Sequence, residues 1–214
     1  MSFKSVQVNF PYPQQAYSYS HLRETFTGKG KSIIVDTIKK NNFQNLLEVG
    51  SFLGASIDFW FNSCSDLSIV SVDPLLGGWA GSHCKNLRYN EHCLLDISEE
   101  NVNYLNSDDG LYRTFLKNMY EYRNKLVLIR EKIETAVPQL QQLNFQPDII
   151  FLDANKSYEL LEYLYNAFPH AILSGDDYRW KNQEQVEIMQ QNVHLFAQKY
   201  DRGVYSKLDS WIII

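Results

Sequence analysis

Long apolar runs are missing from this chain: no stretch of its 214 residues approaches the roughly 18 uninterrupted apolar residues of a membrane helix, so no membrane partner is expected. The opening residues, Met1-Ser2-Phe3-Lys4-Ser5-Val6-Gln7, hold no continuous apolar segment of the kind a secretory signal needs, and none is expected. Cysteine is scarce. Cys64, Cys84 and Cys93 form an odd set of 3, which argues against a disulfide scaffold and suits a reducing, cytoplasmic setting. Basic excess is absent as well: the formal net charge is −5, so nucleic acid is not expected as a partner. What the chain does have is 44% hydrophobic and 14% aromatic residues, enough for one globular core and an aromatic-lined pocket.

The stretch Asn45-Leu46-Leu47-Glu48-Val49-Gly50-Ser51-Phe52-Leu53-Gly54-Ala55-Ser56 reads as a strand, a glycine turn and the start of a helix. Such a turn offers unpaired helix N–H groups at the end of a strand, and its glycines let the backbone turn sharply and a ligand approach closely. It lacks the middle glycine of the dinucleotide fingerprint G-x-G-x-x-G, because Phe52 stands there. A pyrophosphate cofactor is therefore disfavoured, and Glu48 just before the turn points to a ligand carrying hydroxyls or an amine.

Residues 1–30 read as an irregular, polar and aromatic arm, and Ser32 to Lys40 as an amphipathic helix. Leu67 to Val72 is a strand closed by Asp73-Pro74. One strand–helix–strand crossover separates Glu48 from Asp73, which places Asp73 beside the first turn, suited to a ribose hydroxyl pair or simply to capping the next turn. The segment at about 75–125 is long for a connection and reads as a lid-like insert, with Trp79 in a glycine loop and a helix from Leu111 to Tyr122. His83-Cys84 and His92-Cys93 lie in it, but adjacent residues seldom face one metal and no C-x-x-C pair is present, so a polar loop is the better reading than zinc. Beyond it come strands at Leu126–Ile129, 147–153 and 171–174, helices opening near Ile133, Ser157 and Glu184, and a terminal hairpin at 204–214. This alternation predicts an α/β fold, a doubly wound, mostly parallel sheet with an antiparallel C-terminal edge hairpin. Apart from the arm, a single domain over 31–214 is expected.

Acids recur at the predicted strand ends: Glu48, Asp73, Asp153 and Asp176-Asp177. Ligands of open α/β sheets bind at those ends. Three carboxylates, Asp153, Asp176 and Asp177, would repel one another unless a cation or protons compensated, and oxygen-only ligands favour Mg²⁺. Asp177 could equally face solvent and cap the long helix. Lys156, three residues past Asp153, is either a base or a surface lysine pairing with these aspartates.

Together Leu47-Glu48-Val49-Gly50-Ser51-Phe52-Leu53-Gly54, Val72-Asp73-Pro74, Phe151-Leu152-Asp153-Ala154-Asn155-Lys156-Ser157-Tyr158 and Ser174-Gly175-Asp176-Asp177-Tyr178 resemble class I S-adenosylmethionine-dependent methyltransferases, within them the catechol and caffeoyl-CoA O-methyltransferase type and its bacterial relatives. The resemblance spans roughly residues 31 to 214. It implies S-adenosylmethionine as cofactor, with Glu48, Gly50, Ser51, Gly54 and Ser56 around its methionine end, Asp73 on the ribose, Ile133 at the adenine and Asp153 close by. It also implies Mg²⁺ on Asp153, Asp176 and Asp177, with Lys156 as general base. Three features depart from the family: Asp177 where Asn is usual, Arg130-Glu131-Lys132 where small residues flank the adenine, and the longer insert. The expected activity is Mg²⁺-assisted O-methylation of a small hydroxylated molecule, with Trp79, Tyr178 and Trp180 as candidate substrate walls. Two rivals stand beside it, a metal-independent sugar or N-methyltransferase and a non-catalytic cofactor-binding module. A homodimer is an open option.

Overall fold

The computed structural model describes residues 30–76, 99–107, 109–180 and 188–214. Residues 1–29 of the expected arm, Trp79, His83-Cys84, His92-Cys93 and the start of the last long helix lie outside the described residues. The described chain runs α1 (Ser32–Asn41), β1 (Asn45–Val49), α2 (Ala55–Ser63), β2 (Ser68–Val72), α3 (Glu99–Asn106) and α4 (Gly110–Asn118). It continues with β3 (Leu126–Ile129), α5 (Ile133–Gln142), β4 (Ile149–Leu152), α6 (Tyr158–Ala167), β5 (Ile172–Gly175), α7 (Ile188–Lys199), β6 (Val204–Lys207) and β7 (Ser210–Ile213). Seven strands form one sheet in the order β3-β2-β1-β4-β5-β7-β6. β1 to β5 are parallel, and β7 joins β5 and β6 antiparallel, as the alternating sequence predicted.

Strand alternation divides the core in two. Leu46, Ile69, Leu126, Ile149 and Phe151 face α1, α2 and α4, while Leu47, Val49, Val70, Val127 and Ile150 face α5, α6 and α7. Both faces of a parallel sheet are thereby covered, which explains the nearly unbroken apolar runs of β3 and β4. The described half of the long insert is core rather than lid. Leu105, Leu111, Phe115, Leu116 and Met119 are all buried in the first layer. The helix predicted to reach Tyr122 ends at Asn118, and Tyr120–Tyr122 forms a separate 3₁₀ turn whose Tyr122 ring stacks on Phe61 at 4.6 Å. In α6 the buried residues are Leu160, Leu161 and Leu164, with Phe168 buried just past its end, while Tyr158 and Tyr165 are only partly buried at the margin of the same core. Aromatic rings with polar tips settle at the edge of a core, which frees the central positions for leucine. Among the described residues no helix is long and apolar enough to cross a membrane.

Candidate active site

Four strands end in one row. The parallel register sets Val49 beside Val72 and Leu152, and Leu152 beside Gly175, so the residues that follow stand side by side. The ladder runs one step further: Gly50 N–H donates to the Val72 carbonyl (3.0 Å), Asp73 N–H to Ile129 (3.2 Å), Asp153 N–H to Val49 (2.9 Å) and Asp176 N–H to Leu152 (3.1 Å). Sheet geometry thus fixes Gly50, Asp73, Asp153 and Asp176. Over them opens a cavity of about 940 Å³, bounded by Ser51, Phe52, Ser56, Asp73, Ile133, Asp153, Lys156, Asp176, Asp177, Trp180 and Lys31. That volume is in the range of small-molecule sites.

Asp73 holds the first turn together. Its Oδ2 accepts from the Ser51 and Phe52 amides (2.7 and 2.9 Å), and its Oδ1 accepts from the Leu75 amide (2.7 Å). It therefore caps its own turn and anchors the glycine turn at once, while its half-buried carboxylate still borders the cavity. Ser51 Oγ pairs with Ser71 Oγ at 2.8 Å, which keeps this buried hydroxyl satisfied behind the wall.

The glycines serve packing more than ligand approach. A Cβ on Gly50 would sit 2.3 Å from the Asp153 carbonyl oxygen, and one on Gly54 would sit 2.7 Å from Met119 Sδ. Both residues have positive φ, +86° and +88°. Gly50→Ala is expected to destabilise the fold by about 1–3 kcal/mol through strain alone, with the backbone clash added. Denaturant titration checks it, and an unchanged midpoint would contradict the close approach of β1 and β4.

Glu48 does not line the cavity. Alternation turns its side chain to the α2 face, where Oε1 accepts from Ser56 Oγ (2.7 Å) and Oε2 from the Trp60 indole N–H (2.8 Å), with no solvent exposure. Ser56 is the cavity residue, and Glu48 orients it from behind. Burial pushes the Glu48 carboxyl from its ordinary 4.5 up to about 7, against the lowering effect of the hydrogen bonds from Ser56 and Trp60. A carboxyl raised in the folded state binds more protons there than when unfolded. Its contribution is therefore complete below pH 4.5 and is lost as pH rises through about 7. The loss is about 3 kcal/mol over that window. Melting curves of Glu48→Gln should lack this downward slope between pH 4.5 and 7, whereas a slope equal to the wild type's would place the titration elsewhere.

Ile133 opens α5 at the cavity edge and is buried, while the exposed Glu131 and Lys132 border the same cavity beside it. Asp153 is raised from its ordinary 3.8 to about 7, chiefly by burial and then by the charges of Asp176 and Asp177. Lys31 and Lys156 pull the other way. Asp177, in the left-handed region at φ 60°, pairs through Oδ2 with Lys156 Nζ at 2.7 Å. Lys156 lies 5.2 Å from the Trp180 ring centroid. The pairing alternative for Lys156 is thus the one formed in this structure. Tyr178 is buried, its hydroxyl 2.8 Å from His194 Nε2, so of the candidate walls Trp180 alone is among the described lining residues.

The expected Mg²⁺ set does not come together. Asp176 Oδ2 is paired with the Lys31 ammonium and Asp177 Oδ2 with that of Lys156. Among the described residues no three His, Cys, Asp or Glu side chains form a metal-ligand group. Two lysines supply the cationic charge that these carboxylates need. Of the two, Lys31 carries no signal in the sequence. It stands just before α1, remote in sequence from every strand-end motif, and nothing in its neighbours Gly30 and Ser32 marks it.

No protein-family model matches the chain, and no curated protein matches it by sequence. Solved structures do share its fold. A protein from Staphylococcus aureus, assigned as a candidate caffeoyl-CoA O-methyltransferase, superposes over 85% of this chain and 81% of its own, with a TM-score of 0.54 and 16% identity. A methyltransferase of Podospora anserina, solved with S-adenosylhomocysteine bound, superposes over 94% of this chain and 89% of its own, with a TM-score of 0.53 and 14% identity. This chain has the Rossmann-like fold of the class I S-adenosylmethionine-dependent methyltransferases, with its antiparallel C-terminal strands.

Proposed function

We propose that this chain is an S-adenosylmethionine-dependent methyltransferase acting on a small hydroxylated molecule. The observation that carries the reading is one cavity, on a methyltransferase fold, that runs over a single row of strand ends from Asp73 to Asp176. The residues fit the cofactor. Asp73 offers carboxylate oxygens to the ribose, Ile133 an apolar flank to the adenine, and Gly50, Ser51 and Ser56 a turn for the methionine end. Gly54 and Glu48 shape that turn from behind. When bound, S-adenosylmethionine supplies an electrophilic methyl group on a sulfonium.

The rest falls to the chain's own side chains. Asp153, raised to about 7, is matched to neutral pH as a proton acceptor for the nucleophile's hydroxyl. Lys156 and Trp180 form the rim against which an acceptor would lie, and Lys156, held on Asp177, serves there as a fixed charge. Asp176 and Asp177 are each engaged by a lysine, which argues against Mg²⁺-assisted transfer. Incubation with methyl-labelled S-adenosylmethionine and a panel of hydroxylated and amine acceptors tests the reading. Label is expected on a hydroxylated acceptor. Label on amines alone would favour the N-methyltransferase rival, and cofactor binding without any transfer would favour the non-catalytic module.

A further inference from the structure

A buried ammonium is costly unless opposite charge and hydrogen bonds compensate it, so Lys31 needs a reason to be 5% exposed. Its Nζ pairs with Asp176 Oδ2 and lies 5.3 Å from the Phe151 ring centroid, within cation–π reach. Asp176 is aimed at it from the other side. Ser210 Oγ holds its Oδ1 at 3.3 Å, and the Trp211 indole N–H donates to its backbone carbonyl at 3.0 Å. Turning Asp176 toward a metal would forfeit the Lys31 pair. Asp177, the other expected ligand, is engaged by Lys156.

We propose that Lys31 is the resident cation of the strand-end carboxylates, standing beside Asp153 and Asp176 in the role that a divalent metal would otherwise fill. Burial lowers the affinity of Lys31 for its proton, but Asp176, Asp153 and Glu48 together outweigh that and the net shift is upward, so the charge persists. The ammonium borders the cavity, where a positive charge stabilises an oxygen that is losing its proton. That last consequence rests on the methyltransferase reading. The charge replacement itself does not, so it is tested on the protein without cofactor.

The experiment compares melting in EDTA and in MgCl₂ at equal ionic strength for the wild type, Asp176→Asn, Lys31→Met and the double variant Lys31→Met/Asp176→Asn. The wild type is expected to melt at the same temperature in both. Lys31→Met leaves the part-buried Asp176 carboxylate without its counter-charge and is expected to melt about 10 °C lower. MgCl₂ should recover part of that loss, and the double variant should melt above Lys31→Met because the orphaned carboxylate is gone. A wild-type melting temperature that rises with MgCl₂, and no longer does so in Asp176→Asn, would overturn the proposal by showing a real divalent site. A double variant no more stable than Lys31→Met would overturn the pairing. If Lys31→Met does not fold, a folded double variant supports the pairing, and its failure too would count against it. Binding of S-adenosylhomocysteine, measured separately, reports on the methyltransferase reading alone.

Discussion

Asp153→Asn is expected to slow methyl transfer by about 10²–10⁴-fold, the range a positioned acid–base group supplies. The substitution keeps size and polarity but removes the carboxyl whose affinity for a proton is raised to about 7. In the wild type the rate should climb with pH and level off above about 7, since the base must be unprotonated to accept a proton. The variant should lose that inflection. Affinity for S-adenosylhomocysteine should change little, because Asp73, Ile133 and the Gly50 turn are untouched. Turnover within a few-fold of the wild type, with the inflection intact, would transfer the proton-accepting role to another residue.

Asp73→Ala should have the second large effect, on stability and cofactor affinity together. Three backbone amides, those of Ser51, Phe52 and Leu75, converge on this carboxylate. Removing it leaves them without their acceptor, at about 1–3 kcal/mol for each that water cannot reach. If water relieves part of this, a total near 3 kcal/mol corresponds to a melting temperature roughly 6–12 °C lower. On the proposed placing of the cofactor the same change would also remove the ribose acceptor and loosen the glycine turn, so affinity for S-adenosylhomocysteine should fall at least about 10-fold. Calorimetry and thermal melts on one preparation separate the two losses. A variant as stable as the wild type would show that the turn holds its shape without Asp73.

The sheet was legible because its signals are local. Leu126–Ile129 reads as a buried strand from four apolar residues in a row, and the structure gives those limits. The row of acids could be read as well, since Asp73, Asp153 and Asp176 each follow a strand directly. What could not be read is which way each side chain faces and who answers it. Glu48 looks like a wall residue until strand alternation sends it behind the turn to Trp60. Asp176 and Asp177 look like metal ligands until Lys31, 145 positions away from Asp176, enters the site. A pairing over that distance leaves no periodic trace in the sequence. Within the insert, the burial of Leu105 and Phe115 was hidden for a similar reason, since only tertiary packing decides it.

The most direct test of the account is a melting curve of the wild type with and without S-adenosylhomocysteine. A ligand that binds only the folded state adds about 2.7 kcal/mol at 100 times Kd, which for a chain of this size is roughly 5–10 °C. A shift of that order is expected, much reduced in Asp73→Ala at the same ligand concentration. No shift at any concentration of S-adenosylhomocysteine, or one of equal size in Asp73→Ala, would contradict the placing of the cofactor over these strand ends.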